Sequence, residues 1–232
     1  MKKHLLLLVA LFITNAFVAI ADDELDWALT FAYAEENTEL KAQPNNGKRV
    51  VLLGNSITEG WYDKHPEFFE RTGFIGRGIS GQTSYHFLIR FREDVLNLNP
   101  AVVVINAGTN DIAENNGHYV EDVTMENIIS MVELAQAHKI KVVLTTVLPS
   151  EKMYWHSHVT NIADKIASLN KRIEAYAKKN GIQFIDYYTP MVYGENRCLN
   201  PAYSKDGVHP TIEGYAVMEA ILEKALKKYV KK

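Results

Sequence analysis

The alternation of short apolar runs with longer stretches of helical spacing constrains this chain most. Strand-like runs occur at Val50 to Leu53, Phe74 to Ile79, Val102 to Asn106, Lys141 to Val147 and Gln183 to Ile185. Helix-like stretches occupy His86 to Leu98, Val120 to His138, Asn161 to Lys179 and Thr211 to Lys228. The first run, Val50-Val51-Leu52-Leu53, is too short for a helix, rich in β-branched residues and closed by Gly54, which marks a strand buried on both faces. The stretch from Asn161 carries Ile162, Ile166, Leu169, Ile173 and Tyr176 as an apolar stripe and ends at Asn180-Gly181, a C-terminal cap signal. Such alternation predicts an α/β fold: a three-layer α/β/α sandwich around a mainly parallel sheet of about five strands.

At 232 residues the chain is long enough for one sizeable core, and no repeat, low-complexity tract or linker divides it. A formal charge of −3 gives no support to nucleic-acid binding, which calls for a basic face. At the N terminus, Lys2 and Lys3 precede an apolar stretch from Leu5 to Ile20, and Ala19-Ile20-Ala21 supplies an A-x-A site. Residues 1–21 therefore read as a signal peptide cleaved after Ala21, the remainder (22–232) as one domain, and the destination as secreted or periplasmic, with no membrane association once the signal is removed. From Glu24 to about Lys41 the chain is helix-prone, with Leu25, Trp27, Ala28, Phe31, Ala32 and Ala34 as its apolar positions. Cys198 stands alone, so no internal disulfide can form, and it reads as a small packed side chain rather than a nucleophile. There is no C-x-x-C or H-E-x-x-H run, and the H-x-H pair His156 and His158 lacks an obvious carboxylate partner, so no metal site is expected.

Four segments carry chemistry. Ser56 follows the first strand in Gly54-Asn55-Ser56-Ile57-Thr58; Ile79-Ser80-Gly81-Gln82-Thr83 follows the second; Asn106-Ala107-Gly108-Thr109-Asn110-Asp111 follows the third; Asp206-Gly207-Val208-His209-Pro210 precedes the last helix. In a parallel sheet the first three loops open on one edge, where ligands of open α/β sheets bind. Each segment has an ordinary structural use: Ser56 or Asn110 as a cap, Gly81 as a turn, Asp206 and His209 as a surface turn. Together they hold every part an acyl-transfer site needs: nucleophile, base, orienting acid and oxyanion donors.

In these four spaced segments, which run from residue 50 to residue 210, the chain resembles the SGNH hydrolases, also called the GDSL family of esterases and lipases. The resemblance implies a flavodoxin-like sheet, with Ser56 as nucleophile, His209 as general base and Asp206 orienting His209. It implies an oxyanion hole made by the backbone N–H groups of Ser56 and Gly81 and the side-chain amide of Asn110. One departure stands out: the first block, usually Gly-Asp-Ser, reads Gly54-Asn55-Ser56 here. Thr58 also stands where the G-x-S-x-G elbow of ordinary α/β-hydrolases has its second glycine.

No metal or organic cofactor is needed for such a site. The loop from Pro149 to Ser157 carries Tyr154 and Trp155, rings that can stack on a sugar or line an acyl pocket, or simply pack on the protein's own surface. The chain has no long apolar lid segment. That absence favours a small acyl group, and the resemblance to the SGNH hydrolases implies a secreted esterase for short acyl groups, O-acetyl above all, on carbohydrate. The alternatives are a lysophospholipase or acyl-thioesterase of the same family, and a binding protein that keeps the fold without turnover. Oligomeric state is not legible.

Overall fold

The computed structural model describes residues 26–230; the predicted signal peptide lies outside them. Five strands form one parallel sheet: β1 (Val50–Gly54), β2 (Ile75–Gly78), β3 (Val102–Ile105), β4 (Lys141–Thr145) and β5 (Gln183–Ile185), in the order β2-β1-β3-β4-β5. In register, Leu53 pairs with Arg77 on one side and Ile105 on the other, and Ile105 with Leu144.

Side chains alternate across the sheet and both faces are buried, as a parallel sheet requires. Val51, Leu53, Val103, Ile105 and Leu144 face one layer of helices: α4 (Ser84–Asp94), α6 (Glu121–Ala137) and α7 (Ile162–Lys179). Val50, Leu52, Val102, Val104 and Val143 face the other: α2 (Ser56–Lys64), α3 (Pro66–Thr72) and α9 (Ile212–Leu226). The predicted three-layer α/β/α sandwich is the observed one. Strand boundaries differ from the sequence reading by one or two residues. The stretch His86 to Leu98 resolves into α4, which starts two residues earlier, and a separate 3₁₀ turn at Leu96–Leu98.

Of the helix-prone segment Glu24 to Lys41, residues 24 and 25 lie outside the described residues, and the rest behaves differently from expectation. Helix α1 covers only Ala34–Ala42, while residues 26–33 are turns. The Asp26 carboxylate accepts the N–H groups of Thr30 at 2.6 Å and Phe31 at 3.2 Å, a local bond set that competes with the helix. In consequence Trp27 and Phe31 are 58% and 65% exposed rather than part of a stripe. The smaller elements α5 (Thr109–Ile112), α8 (Tyr188–Met191) and the two-residue hairpin β6 (Val192–Tyr193) and β7 (Cys198–Leu199) complete the chain. Cys198 is half-buried.

Edge strand β2 meets the start of α2 very closely. A Cβ on Gly78 would fall 2.2 Å from the Glu59 nitrogen and 2.7 Å from the Asn55 oxygen, so only glycine lets the two backbones approach. Among the described residues no helix is long and apolar enough to cross a membrane.

Candidate active site

The loops after β1, β2, β3 and β4 and the turn before α9 meet at the carboxyl edge of the sheet. They line a cleft of about 290 Å³ bounded by Ser56, Ser80, Gly81, Asn110, Asn115, Tyr154, Trp155 and His209. Ser56 is the first residue of α2. Asn55 caps that helix, its side-chain oxygen accepting the Ile57 N–H at 3.0 Å. The carboxamide thus does the capping that the usual aspartate would do, without its charge. Because Ser56 opens the helix, its own N–H has no carbonyl one turn back to pair with.

Ser56 Oγ lies 2.9 Å from His209 Nε2 although 153 positions separate them, and His209 Nδ1 lies 2.8 Å from Asp206 Oδ2. For the serine hydroxyl to donate to Nε2, Nδ1 must carry the ring proton, and Asp206 accepts it. The other oxygen, Asp206 Oδ1, accepts the N–H groups of His209 at 2.8 Å and Val208 at 2.9 Å, and the Ser204 hydroxyl at 3.1 Å. Burial pushes the Asp206 carboxyl up, but the bonds from the His209 backbone and ring and from Val208 outweigh it and hold the carboxyl at about 2. Ser204 was not singled out in the sequence. It is buried, and its hydroxyl also reaches the His209 carbonyl at 2.8 Å and accepts the Gly207 N–H at 3.0 Å, so it fixes the turn that carries both residues.

Two contacts hold α9, which follows that turn, against α2. Tyr215 donates to the Ile57 carbonyl at 2.8 Å. Glu219 accepts the Trp61 indole N–H at 2.9 Å and lies 2.5 Å from His65 Nδ1. The Tyr215 and Trp61 bonds cross between the helix that starts at Ser56 and the helix that starts three residues after His209.

Opposite His209, Gly81 has φ +77°, a left-handed conformation that suits glycine, and its N–H has no hydrogen-bond partner among the described residues. The buried Asn110 amide donates one hydrogen to the Gln82 carbonyl at 2.9 Å, which leaves its second N–H for the cleft. Ser80 also borders the cleft, but its N–H and hydroxyl both turn to Glu59. Asp111, part of the same segment as Asn110, faces away. Its fully buried carboxylate accepts the Ser84 N–H and, at 2.5 Å, the Ser84 hydroxyl, so it ties the start of α4 to the β3 loop.

On the β4 side, Tyr154 is 56% exposed and meets Trp155 edge-on at 4.7 Å. Trp155 is half-buried, 6.3 Å from the His209 ring between centroids. Of the H-x-H pair, His156 is held by its Nδ1 at 2.6 Å from the Ala113 carbonyl, and His158 is exposed beside Glu114 at 3.8 Å. The sequence-predicted residues Ser56, Asp206, His209, Gly81 and Asn110 are thus brought together, with Tyr154 and Trp155 at the rim. The cleft is open, with no covering segment among the described residues.

Residues 52–217 match the model of the GDSL-like lipase/acylhydrolase family. The chain is 61% identical to a GDSL-like lipase from Bacteroides thetaiotaomicron, whose crystal structure superposes with a TM-score of 0.86 over 88% of this chain and 100% of that one. It is 26% identical over 223 residues to an acetylxylan esterase from Xylanibacter ruminicola, a match that covers 81% of this chain and 45% of that protein. The chain spans about half the length of the curated relatives it matches. An acetylxylan esterase from Geobacillus stearothermophilus, 17% identical, shares the fold with a TM-score of 0.63 over 80% of this chain and 97% of that one. By sequence over most of its length and by fold, the chain belongs to the GDSL-like lipase/acylhydrolase family.

Proposed function

We propose that this protein is a serine esterase that removes short acyl groups, acetyl above all, from carbohydrate. The observation that carries the reading is the unbroken line from Ser56 Oγ to His209 Nε2 at 2.9 Å and from His209 Nδ1 to Asp206 Oδ2 at 2.8 Å, at the floor of an open cleft. A serine hydroxyl is a weak nucleophile until a base takes its proton. His209 Nε2 takes it as Ser56 Oγ bonds to the ester carbon. The carbonyl oxygen becomes an oxyanion that accepts from the N–H groups of Ser56 and Gly81 and the free N–H of Asn110. One such donor is worth about 100- to 1000-fold in turnover. The imidazolium then gives its proton to the departing alcohol as the C–O bond breaks. Water, deprotonated by the same ring, attacks the acyl-serine, and the proton returns to Ser56 as the carboxylic acid leaves.

The preference for a small acyl group on a sugar draws support from the shallow, uncovered cleft and from the exposed ring of Tyr154 at its rim, which offers a flat face to a pyranose. The similarity to an acetylxylan esterase points the same way. The leader-like residues 1–21 support work outside the cytoplasm, on polymer or oligosaccharide found there. Acetate release from acetylated xylo-oligosaccharides, measured beside p-nitrophenyl esters of increasing chain length, tests the reading. Turnover is expected to be highest for acetyl. A preference for chains of about eight carbons or more would replace it with the lysophospholipase or thioesterase reading.

Asp206 supplies a second test. Its carboxyl titrates near 2, below the ordinary aspartate value, so it stays ionised as pH falls and begins to protonate only close to that point. Any loss of kcat/KM on acidification to about pH 4 therefore does not come from protonation of Asp206. The acid limb is expected to have unit slope; a slope of two above that pH would contradict the assignment. Asp206→Asn, which offers the ring the wrong hydrogen-bonding partner, is expected to lower kcat on the order of 10⁴-fold.

A further inference from the structure

Asn115 belongs to none of the motifs, yet three hydrogen bonds converge on it. Its amide nitrogen donates to the Gly81 carbonyl at 3.1 Å. Its amide oxygen accepts the Trp155 indole N–H at 2.7 Å. Its backbone N–H donates to the Asn110 carbonyl at 3.1 Å. With the bond from the Asn110 amide to the Gln82 carbonyl, these close a ring through Gly81, Gln82, Asn110 and Asn115. Both oxyanion donors opposite His209 belong to that ring. Trp155 hangs from it on one side and stands beside His209 on the other.

We propose that Asn115 is a positioning and specificity-determining residue: its carboxamide clamps the oxyanion turn to the Trp155 wall, and that joint sets the width of the cleft beside Ser56. The proposal rests on the esterase reading. Each half of the carboxamide has a separate job. The N–H anchors the Gly81 carbonyl and so restrains rotation about Gly81 itself, which keeps the N–H on the other side of that residue pointed to where negative charge develops; preorganised donors stabilise that charge without first having to turn. The C=O holds the indole upright. The ring is half-buried, packed on the core and against Tyr154, and this bond is its polar anchor; without it the indole turns on those contacts and the wall admits a larger group.

The two halves can be separated. Asn115→Ala removes both: kcat for p-nitrophenyl acetate is expected to fall about tenfold with KM nearly unchanged, and the acetyl-over-hexanoyl ratio of kcat/KM to fall about tenfold. Asn115→Asp keeps the acceptor for the indole and puts an acceptor against the Gly81 carbonyl, so kcat is expected to drop with the ratio retained. Trp155→Phe removes the indole donor, so the ratio is expected to relax more than kcat falls. A merely structural role would instead lower the melting temperature and slow all chain lengths alike in every variant. That result, or an Asn115→Ala enzyme with kcat and ratio within about twofold of the parent, would overturn the proposal. Parent protein that hydrolyses none of these esters would overturn the esterase reading and the proposal with it, and that failure shows before any variant is made.

Discussion

Ser56→Ala is expected to lower kcat for an acetyl ester on the order of 10⁵- to 10⁶-fold while lowering the melting temperature by no more than about 2–4 °C. The first half follows from the chemistry. The hydroxyl is the group within reach of the His209 ring, and the neighbouring cleft hydroxyl, Ser80, is turned to Glu59 and has no imidazole beside it. The second half follows from position. Ser56 begins α2, its side chain is only half-buried, and alanine is well tolerated there. Asn55 still caps the helix and Asp206 still holds His209. The folding cost is one partly solvated hydrogen bond, about 1 kcal/mol. Because nucleophile and base act as a unit, His209→Ala should cost about as much, and the double variant little more. Steady-state rates with a calorimetric scan on the same preparations check both halves. A Ser56→Ala protein that keeps more than about a tenth of the parent rate would remove Ser56 from the chemistry.

The strand that delivers Ser56 could be read from sequence because its signal is local: four apolar residues, then glycine, then a hydroxyl. Topology brings Ser56, Gly81 and Asn110 together, since parallel strands open their loops on one edge; the meeting of Ser56 with His209 follows only from the family resemblance, because His209 precedes a helix rather than follows a strand of the sheet. Asp206 and His209 were visible because their spacing brings both to one turn. Asn115 and Ser204 were not visible. Their importance lies in partners 34 residues away in one case and in backbone groups of the same turn in the other, and neither spacing has a period or motif behind it. The segment that follows Asp26 departs from its helical composition for a related reason. Its helical composition competes with a single carboxylate, Asp26, whose bonds to Thr30 and Phe31 hold the chain in turns until Ala34.

Arg90 is the residue whose loss should damage folding most. It is completely buried, and it donates to Gln82 Oε1 at 2.6 Å, Asp94 at 2.7 Å, and the carbonyls of Gly54 at 2.9 Å and Arg77 at 3.1 Å. Burial drives its guanidinium pKa down, and the Asp94 carboxylate works against that. Asp94 also accepts the Asn37 amide at 2.8 Å, while Asn37 takes two bonds from Arg77, at 3.0 and 2.7 Å. Gln82 in turn donates to Ala28 at 2.6 Å, so the cluster also fastens the segment 26–42 to the molecule. Arg90→Met leaves Asp94 charged and short of its cation in a dry interior, which costs about 3–5 kcal/mol. In a protein of this size that lowers the melting temperature by about 6–20 °C. Arg90→Lys should rescue little, since one ammonium cannot span acceptors arranged around a planar fork. Removing the stranded charge as well, in Arg90→Met with Asp94→Leu, should recover part of the loss, because the uncompensated carboxylate and not the missing contact dominates it. The same lesion should reach the chemistry. The Gly54 carbonyl immediately precedes the nucleophile turn, and Gln82 immediately follows Gly81, so a guanidinium that no longer ties them frees the two halves of the oxyanion site to drift apart. Folded Arg90→Met enzyme, assayed well below its own melting temperature, is therefore expected to lose kcat about tenfold or more. Unaltered kcat in that folded variant would confine Arg90 to stability alone.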